Sequence, residues 1–470
     1  MDVTAGQTAE PVLERRKPGD PRTISPTQRR LWYLEQLVPG TGAYNVPFVM
    51  RMTGPLNPAA LRDAINALVG RHEAFRTVFL APGGNPVPVI LSKWQLDFKE
   101  FDLRQAAEPE AEAKRIVIAE SSRPFNLARG PLLRAAVIRV GEEEWFFVHT
   151  AHHIAFDGSS PPIMYRELSV LYEGFLTGRP VDLPEPPIQY SDFALWQTRY
   201  LQGERLARLS AYWKQQLMDA PPLHLPADRP RPTVSTGKGA RYPIAPRMED
   251  LQQIKDLSKT SGTTPYRGAC AAFVVLLYCY SGQEDISIGC PVAPQLRPGM
   301  EGAIGFFVNT LVLRIDLSGD PTFREFMLRV HNVVQAAIEH SDLTLDKLVE
   351  AVRPPREASR MPLFQVNFRF LKGPMPRLQL SHVTSTYARA VDTGTAKFDL
   401  SLEIEAGTGE GGFYEYSTEL FNESTIAQLA QDFETVLRAL MAAPDSPLKN
   451  IPAVRQIRQR IAERKSEHHS

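Results

Sequence analysis

The stretch on which the reading of this chain turns is His152-His153-Ile154-Ala155-Phe156-Asp157-Gly158. Two runs with strand character precede it, 133–140 and 145–151, joined by a charged turn at 141–144. A helix is expected to start at about Pro161, with Met164, Leu168, Leu171 and Phe175 spaced along one side. A crossing from strand to helix commonly presents functional groups at the edge of a lobe. Successive side chains on an extended segment point to opposite faces, so His152 and His153 are expected on opposite sides. One then enters a cleft while the other packs into its own lobe. Imidazole is the side chain best suited to moving a proton near neutral pH. Asp157 can accept hydrogen bonds or pair with a cation, and Gly158 lets backbone pass close to a ligand.

Taken alone, two adjacent histidines are more often structural than catalytic, and the residues leave both readings open. His149, His152, His153 and Asp157 are also all potential zinc ligands. On a strand, however, His149 and His153 share one face and His152 takes the other, so the set does not converge and no metal is expected. The chain contains no G-x-S-x-G elbow, phosphate-binding loop or dinucleotide fingerprint.

Around this stretch lie 470 residues, too many for one core and suited to two lobes of roughly 200 residues. With 43% hydrophobic and 23% charged residues the chain has the balance of a folded globular protein. Lys+Arg and Asp+Glu both total 53, which argues against a dedicated nucleic-acid binder. No apolar run approaches the roughly 20 residues of a membrane helix, and residues 1–20 lack the apolar stretch of a secretory signal. The cytoplasm is the expected compartment. Cys270, Cys279 and Cys290 are odd in number and clustered, and are expected to be reduced core thiols.

Ser25-Pro26-Thr27-Gln28 carries a capping-box start, followed by Leu31, Trp32, Leu34 and Leu37 on a helical face. Asn57-Pro58 repeats the start signal, and Gly70 is placed to end that helix. Proline-rich stretches at 178–187 and 221–232 read as extended connections. Beyond them a buried helix is expected at 269–280, strands at 285–289, 309–317, 364–370, 398–405 and 413–421, and an amphipathic helix through Ile426, Leu429, Phe433, Val436 and Leu440. The expected division is a flexible segment 1–21, an N-terminal lobe 22–180, a linker and C-terminal lobe 181–448, and a flexible charged tail 449–470. The fold class is α+β.

His152–Gly158 resembles the HHxxxDG signature of the condensation domains of nonribosomal peptide synthetases, within the chloramphenicol acetyltransferase-like superfamily. Neighbouring motifs follow in the family's order: SPTQRRLWYL at 25–34, RHEAFRTVF at 71–79, YSDFALW at 190–196, HSDLTLDKL at 340–348 and REASRMPL at 356–363. IGFFVNT at 304–310 precedes the last two and, with REASRMPL, is the clearest of the second half. The resemblance covers roughly residues 22 to 445.

The resemblance implies two chloramphenicol acetyltransferase-like lobes in a V-shaped pseudo-dimer with a central channel. It implies catalysis by His153, with His152 and Asp157 mainly structural and Gly158 beside the reacting thioester. Through their motifs, Asn309 and Arg360 are implied to belong to the channel region. The donor is implied to be an acyl or aminoacyl group on the phosphopantetheine arm of a peptidyl or acyl carrier protein. The acceptor is an amine or hydroxyl, on a small molecule or a second carrier, so the product is an amide or an ester. No bound cofactor is implied, and a monomer is expected. Two alternatives share the superfamily: an acyltransferase using acyl-CoA or an acyl carrier with a soluble acceptor, and a non-catalytic recruitment domain. The family often has an Arg before I-G-x-F-V-N-T that suits the motif Asp. Here Gly289-Cys290-Pro291-Val292-Ala293-Pro294 runs into Gln295, leaving Arg297 or neutral hydrogen bonds to hold Asp157. Ser159-Ser160 replaces a bulkier residue and is expected to reshape the channel mouth. The absence of an adenylation domain and a carrier serine motif reads as a free-standing protein or an excised domain.

Overall fold

The computed structural model describes residues 11–467 apart from 294, 296, 356, 358, 372, 374, 375, 388–390 and 407–410. Pro294, Arg356 and Ala358, quoted in the motifs above, therefore lie outside the described residues.

The start signals operate as their chemistry requires. Ser25 Oγ accepts the Gln28 N–H and Gln28 returns a bond to the Ser25 N–H, opening the helix Pro26–Leu37. Asn57 Oδ1 caps the helix Pro58–Arg71 at the Ala60 N–H. This helix runs through Gly70, which packs against the Trp94 ring rather than ending the helix.

Contacts divide the chain into two units. The first comprises Met1–Arg208 with Ala293–Val308 and Pro376–Thr393, and the second Leu209–Val292, Asn309–Met375 and Gly394–Ser470. This differs from a boundary at residue 180. The helix Tyr190–Tyr200, beyond the proline-rich connection, closes onto the first unit: Gln189 bonds the Arg71 carbonyl and Asp192 pairs with Arg16.

The first unit holds a five-stranded sheet in the order Thr384–Tyr387, Asn45–Thr53, Glu144–His152, Leu133–Arg139, Asp97–Asp102. All neighbours are antiparallel except the last pair. Residues alternate between faces. Val49, Ala136, Ile138, Phe146 and Val148 meet Ala113 and Val117 of the helix Pro109–Ser122. The helices Pro58–Arg71 and Ser160–Thr177 pack on each other. In the latter, Met164 and Leu168 are buried, whereas Phe175, grouped with them along one side, is 48% exposed.

The second unit has a six-stranded sheet ordered Gly239–Ile244, Gly411–Ser417, Leu400–Glu405, Val366–Leu371, Asp285–Val292, Asn309–Asp316. Its central helix, Pro265–Ser281, is buried from Arg267 to Tyr280 on every side, as expected for a helix surrounded by others. The helices Met248–Thr260, Phe323–Glu339, Glu423–Ala442 and Pro452–Glu467 all contact it. Cys270, Cys279 and Cys290 are buried free thiols.

The described parts of both terminal segments make specific contacts, where flexible chain was expected. The Pro11 carbonyl accepts the Trp196 indole N–H, and Arg15 bonds Glu185 and the carbonyls of Pro186 and Pro187. The tail forms the helix Pro452–Glu467, burying Val454, Ile457 and Ile461. Three apolar positions at helical spacing outweigh the charged residues between them. No helix among the described residues is long and apolar enough to cross a membrane.

Candidate active site

The strand Glu144–His152 ends at the first histidine, and His153 opens a single 3-10 turn, His153–Ala155. The two histidines are therefore not alternate positions of one strand. They differ because the chain turns between them. The turn is closed by the Ile154 N–H, which donates to His152 Nδ1 at 3.1 Å, and by the Phe156 N–H bonding the His153 carbonyl. His152 is 1% exposed, with Nε2 3.2 Å from Glu35 Oε1.

His153 is half-buried. Its N–H donates to the Tyr44 carbonyl, its ring lies 4.8 Å from that of Phe306, and its Nδ1 is 2.8 Å from the Phe156 carbonyl. A carbonyl only accepts, so Nδ1 carries a proton, and in the neutral ring Nε2 bears the lone pair. That is the tautomer a proton acceptor needs. Tyr44 is buried, which pushes its phenol up to about 12; Arg30 opposes the rise and Glu35 adds to it.

Asp157 is 1% exposed and accepts four hydrogen bonds. Oδ1 takes the Ser159 N–H at 2.9 Å and hydroxyl at 2.6 Å; Oδ2 takes the N–H groups of Phe307 and Val308, both at 2.7 Å. Burial raises its pKa and the four donors act against that rise. Arg297 is not among its partners. The Arg297 guanidinium lies over the rings of Trp196 and Tyr200, at 4.4 and 4.6 Å. The donors on Asp157 are neutral: the Ser159 N–H and hydroxyl and the backbone amides of Phe307 and Val308.

Ser160 Oγ lies 3.3 Å from the Gly305 carbonyl and 3.4 Å from the Gly305 N–H, a second link to that segment. The role of both serines as staples was not foreseen, although an Asp followed at two residues by Ser is a local turn pattern. The amides of Phe307 and Val308 leave no sequence signal. Gly158 is exposed, and a Cβ built there meets nothing within 4 Å. Among the described residues no acceptor takes its N–H. It precedes the helix Ser160–Thr177, whose N-terminal end carries partial positive charge.

His149, the other histidine of the strand, faces inward, stacks on Phe48 at 5.1 Å and bonds Tyr165 Oη at 2.8 Å. Burial lowers its pKa to about 3. Among the described residues no group of three or more His, Cys, Asp or Glu is arranged to hold a metal.

The remaining expected residues belong to the second unit. The Asn309 amide is spent internally: Nδ2 donates to the carbonyls of Ser341 and Leu343, and Oδ1 accepts the N–H groups of Thr310 and Leu345. It ties a strand to the turn before the helix Leu345–Val352. Arg360 lines a cavity of about 180 Å³ with Leu223, His224, Arg231, Asp399 and Phe421.

With this geometry in hand, residues 20–460 match the family model described as a condensation domain. The chain is 42% identical over 443 residues to one of the linear gramicidin synthase subunits of Brevibacillus parabrevis, covering 92% of this chain and 8% of that protein. It is 38% identical over 462 residues to phosphinothricin tripeptide synthetase PhsC of Streptomyces viridochromogenes, covering 97% and 42%. The chain thus spans less than half the length of these relatives. Among solved structures, the X-domain from teicoplanin biosynthesis aligns with a TM-score of 0.85 at 23% identity, covering 94% of this chain and 99% of that one. At that identity the likeness is one of fold.

Proposed function

The chain belongs to the condensation-domain family, and from that premise we propose that it condenses a carrier-bound acyl or aminoacyl thioester with an amine or hydroxyl acceptor. The donor is presented on the phosphopantetheine arm of a peptidyl or acyl carrier protein. The observation that carries the reading is the His153 side chain, with its Nδ1 proton committed to the Phe156 carbonyl. Its Nε2 is then the atom that meets the nucleophile's proton. The acceptor nitrogen or oxygen attacks the thioester carbon, the C–S bond breaks, and the thiolate leaves with the proton that the nucleophile gave up. The Gly158 N–H and the adjoining helix N-terminus suit the negative charge that develops on the carbonyl oxygen.

The nucleophile decides how much His153 must do. An α-amine has a pKa near about 7.7–8.0 and is partly neutral at pH 7, so alignment of two tethered reactants supplies much of the rate. An alcohol must lose its proton as the bond forms, which calls for a general base worth about 10²–10⁴-fold.

The test uses purified carrier loaded with donor and compares His153→Ala with the unaltered chain at matched folded concentration. With an alcohol acceptor the rate is expected to fall about 10²-fold or more, and with an amine by less. Unchanged turnover of an alcohol by His153→Ala removes His153 from the mechanism. Faster turnover of acyl-CoA than of acyl-carrier moves the activity to a coenzyme A-dependent acyltransferase.

A further inference from the structure

Glu35 takes no part in the chemistry above, yet its carboxylate stands at the start of a bonded path to His153. It lies on the helix Pro26–Leu37, with Oε1 3.2 Å from His152 Nε2. The opposite nitrogen of that buried ring, Nδ1, accepts the Ile154 N–H. A nitrogen that accepts a backbone N–H carries no proton, so the neutral ring holds its proton on Nε2 and donates it to Glu35. The same residue is held on its other side, where Gln28 Nε2 donates to the Ile154 carbonyl, in the next peptide unit, at 3.0 Å. Ile154 is the middle residue of the turn that begins at His153. That turn brings the Phe156 carbonyl to His153 Nδ1.

We propose that Glu35 is a positioning residue for the condensation, fixing the His152 tautomer and through it the turn that aims His153 Nε2. Were the His152 proton on Nδ1, two N–H groups would face each other across the turn and the Ile154 bond would be lost. Glu35 prevents this by offering an acceptor at Nε2. Glutamine at this position offers the same acceptor without the charge, and alanine offers none. The proposal rests on the role given above to His153.

The experiment compares the full chain with Glu35→Gln and Glu35→Ala, each labelled with ¹⁵N-histidine and studied at a pH where the imidazoles are neutral. Long-range ¹H–¹⁵N spectra read the tautomers of His152 and His153, and steady-state assays with donor-loaded carrier separate kcat from KM. Glu35→Gln is expected to keep the Nε2–H form of His152, the Nδ1–H form of His153 and kcat within about threefold. Glu35→Ala is expected to show mixed tautomers at His152 and to lose about 10–100-fold in kcat, the scale for partners that orient a working histidine, with little change in KM. A Glu35→Ala protein with both tautomers and kcat intact overturns the proposal, as does Glu35→Gln falling as far as Glu35→Ala. If Glu35→Ala does not fold, Glu35→Gln decides alone, and loss of either tautomer in it is an overturning result. The spectra require no turnover. An unaltered chain that condenses nothing therefore counts against the functional reading, while the tautomers still decide the role of Glu35.

Discussion

The Asp157 carboxylate is enclosed by neutral donors, two of them amides about 150 residues away in sequence. Removing it leaves the N–H groups of Phe307, Val308 and Ser159 without their acceptor. Such a group costs about 1–3 kcal/mol when buried, as the Phe307 amide is, so Asp157→Ala is expected to lose on the order of that much folding stability, together with activity. An unchanged urea midpoint with activity abolished would instead place Asp157 in the chemistry. His149 offers a test through pH. Its pKa is depressed to about 3 in the folded chain by burial, against about 6.5 unfolded. Below pH 6.5 the unfolded chain therefore takes up a proton that the folded chain refuses. The stability held at pH 7 is lost as pH falls toward 3, by up to about 1.4 kcal/mol per pH unit. His149→Phe keeps the stacking shape against Phe48 and removes this proton. Urea midpoints measured between pH 7 and 4.5 are expected to fall less steeply for the variant, and parallel curves would refute the assignment.

At the level of elements, legibility followed whether the signal was local. The caps at Ser25 and Asn57 satisfy helix-end donors within three residues, so the sequence carries them whole. The heptapeptide sits at the end of a strand, as the strand-like run before it implies. The turn inside it was hidden, because it depends on a side-chain nitrogen of His152 bonding the Ile154 backbone. Phe306, whose ring meets His153, carries no sequence signal that separates it from a core aromatic. The tail shows a different failure. Arg455, Arg458, Arg460 and Arg464 obscured the spacing of Val454, Ile457 and Ile461, although those three are buried in a helix that contacts the central one. Arg458 and Arg460 are also engaged, with Tyr278 and with Asp432. Burying an aliphatic side chain contributes about 1.5–3 kcal/mol. A chain ending at Ile451 is thus expected to lose roughly 5 kcal/mol or to aggregate through the exposed face of the central helix. A truncated protein with an undiminished melting temperature would show the helix to be dispensable.

For the whole molecule, the consequence is that the first unit is not a contiguous stretch of chain. Its sheet takes the edge strand Thr384–Tyr387 from the second half of the sequence, pairing Met50 with Tyr387 through Thr53 with Thr384. Its histidine turn is stapled to Ala293–Val308 by Asp157 and Ser160. Composition and proline placement mark where a chain is extended, but not which later segments return. A boundary read at residue 180 therefore describes two consecutive lobes, whereas the contacts describe one unit assembled from three stretches. This makes a prediction that differs from the consecutive picture. Residues 1–208 expressed alone retain four strands of the sheet, yet leave the Asn45–Thr53 edge unpaired and Asp157 buried without two of its donors. An unpaired strand edge invites association, and a buried carboxylate without partners is costly. The fragment is expected to be aggregated or loosely packed, with far-UV helix signal but little near-UV dichroism, and to place His153 poorly. Adding residues 209–470 in trans restores both missing segments and is expected to recover near-UV dichroism. A monomeric 1–208 fragment with cooperative unfolding would show that the first unit stands without its two returning segments, and the stapling of Asp157 would then be secondary to local packing.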